Sequence, residues 1–154
     1  MTFKSTIDDR YFEDYVKGAI HEFGRYEVTE AEVIDFASRY DPQDFHTDPQ
    51  AAAKTVFGGV IASGWHTCGM MMRMYADHYL TKVASLASPG LDALRWIMPV
   101  RPGDVLSVRV TIEEAVPSKS KPDRGVVTSF IETLNQNGQV VMSMRAVNMV
   151  ARRR

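Results

Sequence analysis

The chain has 154 residues, 45% of them hydrophobic and 24% charged, with 10 Gly and 7 Pro. This is room for one domain, residues 1–154, with a real core, and it excludes disorder, collagen-like repeats and low-complexity tracts. Eighteen Lys and Arg against nineteen Asp and Glu give a net charge of −1, which leaves no surplus of positive charge to neutralise nucleic-acid phosphates.

Charge is uneven along the chain. Residues 1–54 carry six basic and twelve acidic side chains, and residues 55–154 carry twelve and seven, so an anionic ligand favours the second part. The opening segment MTFKSTIDDRYF lacks the apolar core of a signal peptide, and the one cysteine, Cys68, cannot form an intrachain disulfide. Both point to the cytoplasm.

In chain order, a strand is expected around residues 23–28. Thr29-Glu30-Ala31-Glu32 then matches a capping box, with Val33, Phe36, Ala37 and Tyr40 following on one helical face until Pro42 stops the helix near Asp41. Asp48-Pro49 opens a short second helix, with a cap residue followed by proline at the first helical position. Residues 55–72 carry no formal charge, which raises the question of a membrane span. Gly58, Gly59, Ser63, Gly64, His66, Thr67 and Gly69 make that segment a poor match to a bilayer. It reads instead as a buried loop running into a helix over residues 63–80, apolar on nearly every side until Arg73 and Asp77, as expected of a core helix wrapped by other structure.

After Ser88-Pro89-Gly90 the period changes to two. Leu94, Trp96 and Met98 lead to Pro99, and Arg101-Pro102-Gly103-Asp104 makes a turn. Leu106, Val108, Val110 and Ile112 alternate with polar residues, and residues 126–134 and 140–150 repeat the pattern, joined through the hairpin signal Asn135-Gln136-Asn137-Gly138. The pattern predicts an α+β domain with an antiparallel sheet around a long apolar helix. Residues 140–150 are apolar on both faces, through Val141, Val147 and Met149 as well as Met142, Met144 and Ala146. One side therefore needs a cover, and a second subunit, giving at least a homodimer, is the simplest.

The densest group of ionisable side chains beside apolar sequence is Tyr40-Asp41-Pro42-Gln43-Asp44-Phe45-His46-Thr47-Asp48-Pro49. A carboxylate and an imidazole five residues apart can converge on one water across a proline-bent loop. The plainer alternative has Asp41 and Asp48 capping chain ends and His46 on the surface. A facial-triad metal site using His46 and Asp48, with His66 or His78 as third ligand, is a further alternative. Downstream, the glycines of Phe57-Gly58-Gly59-Val60-Ile61-Ala62-Ser63-Gly64 approach a helix start whose unpaired N–H groups can polarise a thioester carbonyl. The same glycines serve equally for turns and packing. Lys119, Lys121 and Arg124 are candidate phosphate contacts or a solvated loop, and Arg152-Arg153-Arg154 reads as a disordered end.

Taken together, Asp41-Pro-Gln-Asp-Phe-His46-Thr-Asp48-Pro-Gln-Ala-Ala resembles the hydratase motif of the MaoC-like dehydratases, Asp-x-Asn-Pro-x-His-x-Asp. Residues 29–33, 57–64 and Pro99-Val-Arg-Pro-Gly103-Asp104 extend the likeness over most of the chain. The resemblance implies a hot-dog fold and hydration of a trans-2-enoyl-CoA thioester to the (R)-3-hydroxyacyl form, without metal or redox cofactor. It implies Asp41 and His46 as the water-activating pair and the Gly64 N–H as oxyanion donor. Gln43 and Asp44 depart from the motif, where Asn and Pro are usual. Ser63, Trp65 and Met72 are the expected substrate contacts, with Trp65 and residues 70–72 bounding the acyl chain. Hot-dog proteins also hydrolyse thioesters, and a non-catalytic acyl-binding module is a third class.

Overall fold

The structure is a computed structural model that describes residues 3–154. Five strands form one antiparallel sheet: β1 (Ile20–Glu27), β2 (Gly90–Trp96), β3 (Val105–Pro117), β4 (Arg124–Leu134) and β5 (Val140–Ala151), in the order β1-β3-β4-β5-β2. Alternation settles which face is inward. Leu106, Val108, Val110 and Ile112 of β3 and Met142, Met144 and Ala146 of β5 are buried in the core, while their neighbours apart from Val141 are half-buried. At the β4–β5 turn, Gly138 takes φ +73° and the Asn135 side chain accepts from the Asn137 and Gln139 amides. The first strand begins three residues earlier than its hydrophobic pattern suggests. Gly24, at φ +87°, lets the strand bulge and approach Met74 closely enough that a Cβ there would sit 2.6 Å from its sulfur.

Four helices lie on the inner side: α1 (Glu30–Tyr40), α2 (Asp44–Thr47), α3 (Pro49–Ala53) and the long α4 (Gly64–His78). Thr29 caps α1 by accepting from the Glu32 amide, and Asp48 caps α3 by accepting from Gln50 and Ala51, with Pro49 at the first position. Only half of the capping box forms, because the Glu32 carboxylate turns away to Tyr26 and His66.

Met70, Met71, Met74 and Tyr75 pack α4 onto the sheet. No helix among the described residues is long and apolar enough to cross a membrane. Contrary to the expectation of a helix wrapped on every side, the outer face of α4 is open, with Trp65 59% and Met72 46% exposed. The uncovered surface also lies elsewhere than on β5, where Val141 is buried and Val147 and Met149 are half-buried. It lies on β2, the edge strand, nearly all of whose residues are exposed. Two of the three C-terminal arginines are held by charge: Arg152 pairs with Glu13, and Arg153 with Asp9 and Asp14. Arg124 pairs with its neighbour Asp123, on an exposed loop that also carries Lys119 and Lys121.

Candidate active site

Proline at 42 stops α1, so Asp41 sits at the helix end with φ −153° and ψ 66° while its amide still donates to the Ala37 carbonyl. The chain then turns into α2 and buries His46, which is 5% exposed. The segment running towards α4 lies alongside: the Ile61 amide donates to the Phe45 carbonyl, and His46 Nδ1 lies 2.6 Å from the Ile61 carbonyl oxygen. A carbonyl can only accept, so Nδ1 carries the proton and Nε2 is left to face Asp41 Oδ2 at 3.3 Å.

Asp41 is held from both sides. Gln43 Nε2 donates to its Oδ1 at 2.6 Å, and Ser63 Oγ donates to its Oδ2 at 2.7 Å. The Gln43 bond, then the Ser63 bond, outweigh burial and hold the carboxyl below the ordinary aspartate range. Gln43, a departure from the family motif, is thus the residue that orients the acid. Ser63 also caps α4, accepting from the Trp65 amide, and is fully buried. It touches Asp41 rather than presenting itself to a substrate.

His46, Phe57, Ile61, Gly64, Thr67 and Trp96 line a cavity of about 350 Å³. Gly64 is the first residue of α4, so its N–H belongs to the unpaired, positive end of a 15-residue helix. The room left by the missing side chain is filled by Trp96, whose indole a Cβ on Gly64 would overlap and whose Nε1–H donates to the Gly64 carbonyl at 3.0 Å.

Two expected contacts lie elsewhere. Trp65, at the outward second position of α4, meets the edge of Trp96 at 5.4 Å and does not line this cavity. Met72 lines a separate apolar cavity of about 370 Å³ with Cys68, Met71, Tyr75 and Leu91. The indole that bounds the site is Trp96, carried in by β2. Its signal in the sequence is a tryptophan ending a period-two run just before Pro99.

The alternative metal ligands do not converge. The Asp48 carboxylate is engaged by the α3 amides, and His66 faces Glu32. Among the described residues no three His, Cys, Asp or Glu side chains gather closely enough to hold a metal ion.

The MaoC like domain matches residues 16–135. The chain belongs to the MaoC-like dehydratase family. A solved MaoC-like dehydratase from Rhodospirillum rubrum superposes with a TM-score of 0.86 at 40% identity, covering 94% of this chain and 99% of that one. The (R)-specific enoyl-CoA hydratase of the same organism is 28% identical over 148 residues, 93% of each chain. A Mycobacterium tuberculosis protein with a double hotdogfold superposes at TM-score 0.74 and 15% identity, covering 94% of this chain and 44% of that one. The fold, an antiparallel sheet packed on a central helix, is the hot-dog fold. The family is one of hydratases and dehydratases acting on acyl thioesters.

Proposed function

We propose that the protein adds water reversibly to a trans-2-enoyl-CoA thioester to give the (R)-3-hydroxyacyl-CoA. The observation that carries this reading is the approach of Asp41 Oδ2 to His46 Nε2, 3.3 Å, with the His46 ring at the wall of a cavity that also reaches the N-terminus of α4. A water can donate one hydrogen to each and keep a lone pair for attack. Its oxygen bonds to the β-carbon as the double-bond electrons move towards the thioester, and charge grows on the carbonyl oxygen beside the Gly64 N–H. A proton returns to the α-carbon, so the elements of water are added with nothing left over. The match to an (R)-specific relative supports the stereochemistry.

The test is turnover of crotonyl-CoA, followed by the loss of absorbance of the conjugated double bond and, in parallel, by release of free thiol. Loss of the double bond without thiol release is the expected result. Thiol release instead would make the protein a thioesterase, and neither signal would leave an acyl-binding module.

We propose also that the working unit is at least a homodimer. Trp65 and Met72 of α4 and Leu91, Trp96 and Ile97 on or beside β2 are all half-exposed large apolar groups. An open edge strand beside such side chains is the surface that a second copy of the chain covers.

A further inference from the structure

Outside the cavity lies a second group of ionisable side chains that the proposed reaction does not use. Glu32 Oε1 accepts from the Tyr26 hydroxyl of β1 and from His66 Nε2 at 3.0 Å. His66, the third residue of α4, is 4% exposed, lies flat against Phe36 of α1 at 4.8 Å, and has no hydrogen-bond partner for its other ring nitrogen. That unpartnered nitrogen is most cheaply kept as a bare lone pair, which leaves the ring one proton, on Nε2 and aimed at Glu32. Burial alone would raise the Glu32 pKa, but the hydrogen bonds from Tyr26 and His66 prevail and hold it below the ordinary range. Burial, then the same bond, pushes Tyr26 up to about 12, so it remains a donor at neutral pH.

Placement gives this group its meaning. Glu32 lies in the first turn of α1 and Asp41 at its end, nine positions or about 13 Å apart along the axis. Both are tied to the start of α4, Asp41 through Ser63 and Glu32 through His66. Ile61, which holds the His46 ring, and Gly64 belong to that same segment of chain. Asp41 is thus carried by α1, whereas Gly64 belongs to α4 and His46, on α2, is tied to the segment before α4 through Ile61. Packing of Val33 and Ala37 seats α1, and the two ties at its opposite ends fix its orientation on that seat.

We propose that Glu32, acting through His66, is a positioning residue that sets the placement of the Asp41 carboxylate against His46 and Gly64. This rests on the hydratase reading above. Neither residue lines the His46 cavity, so the effect is on geometry and not on substrate contact. A displacement of about 1 Å in such a site can cost on the order of 100-fold in rate.

The experiment compares Glu32→Ala, Glu32→Gln and His66→Phe with wild type. It measures kcat and KM for crotonyl-CoA, melting temperature, and amide hydrogen exchange at Asp41. In Glu32→Ala and His66→Phe, kcat should fall about 10- to 100-fold with KM changed less than about threefold, and Asp41 should exchange faster. Glu32→Gln keeps an acceptor oxygen for both donors and should recover most of the rate. Folded variants with wild-type kcat overturn the proposal, as does a loss of rate that Glu32→Gln fails to restore. If Glu32→Ala does not fold, His66→Phe, which keeps the stacking on Phe36, decides by the same criteria. Failure of the hydratase reading shows separately, as wild-type protein without turnover. Exchange at Asp41 then decides the tie alone: faster exchange supports it and unchanged protection overturns it.

Discussion

The two flanks of α4 are built on opposite plans. On the side of α1 and α2, almost every polar atom near Asp41 and His46 is spoken for by a directed bond, from Gln43, Ser63 and the Ile61 carbonyl. On the side of β2, large apolar groups stand open, among them Trp65, Leu91 and Ile97. Hydrogen bonds fix position within tenths of an ångström and are costly to leave unmade when buried, whereas apolar contact is non-directional and gains by area alone. One flank is thus fully specified within a single chain, and the other is left to be completed by what covers it.

The largest effects should come from breaking the directed flank. Asp41→Asn and His46→Ala should each lower hydration by about two orders of magnitude or more while the protein stays folded, because losing one member of an acid–base pair forfeits about 10²–10⁴-fold. Rates and melting curves taken together check this, and two folded variants with wild-type turnover would show that the chemistry lies elsewhere. On the open flank, a charge at Leu91 should act on assembly. Light scattering of wild type at micromolar concentration should give at least twice 17.3 kDa, and Leu91→Asp should move it towards the monomer. A wild-type mass of one chain would refute the dimer.

Trp96 and Trp65 sharpen the contrast, since of two indoles in edge contact only Trp96 lines the cavity beside His46. Trp96→Leu should shift preference towards longer acyl chains, with kcat/KM for crotonyl-CoA falling less than about tenfold, because one methylene in an apolar pocket is worth about 1–3 kcal/mol. Trp65→Ala should leave the chain-length profile nearly in place. The reverse ranking would put the acyl chain along the outer face of α4.

The smallest expected change is at Gln43. Its hydrogen bond is the first cause of the lowered Asp41 pKa, so Gln43→Leu should move the acid limb of the kcat/KM profile to higher pH. The rate at neutral pH should fall by no more than about tenfold, the worth of one such bond. The sign for stability is the usual one for a depressed carboxyl. Asp41 contributes stability above its unfolded pKa and loses it as pH falls through the lower folded value. The wild-type advantage over the variant in melting temperature should therefore shrink on acidification, and an advantage that grows would contradict the assignment.

What the sequence reveals divides along similar lines. Asp41 and His46 are legible because one proline-bent turn brings them together within a stretch that resembles a known motif; spacing alone leaves the plainer capping reading open. The period-two strands and their hairpin are legible because each pattern is local. Glu32 shows where local rules stop: the capping-box pattern is present, yet its carboxylate is taken by His66, 34 residues away. Trp96 reaches Gly64 across 32 residues, and Arg153 reaches Asp9 across 144. Such pairings depend on the tertiary fold, and nothing in the flanking residues announces them. Trp65 is named by its nearness to Gly64 in sequence, but helical geometry turns consecutive side chains about 100° apart and sends it outward.

The overlap of the Trp96 indole with the place of a Gly64 Cβ makes those two positions one variable rather than two. A methyl group at 64 pushes the ring off the cavity wall, and a smaller residue at 96 leaves that methyl a place to go. In a library varied at both sites, survivors should fall into two correlated sets, a bare helix start with a large ring and a substituted start with a small side chain. The tolerance of the helix start for a side chain and the depth of the cavity at that wall are then inherited together.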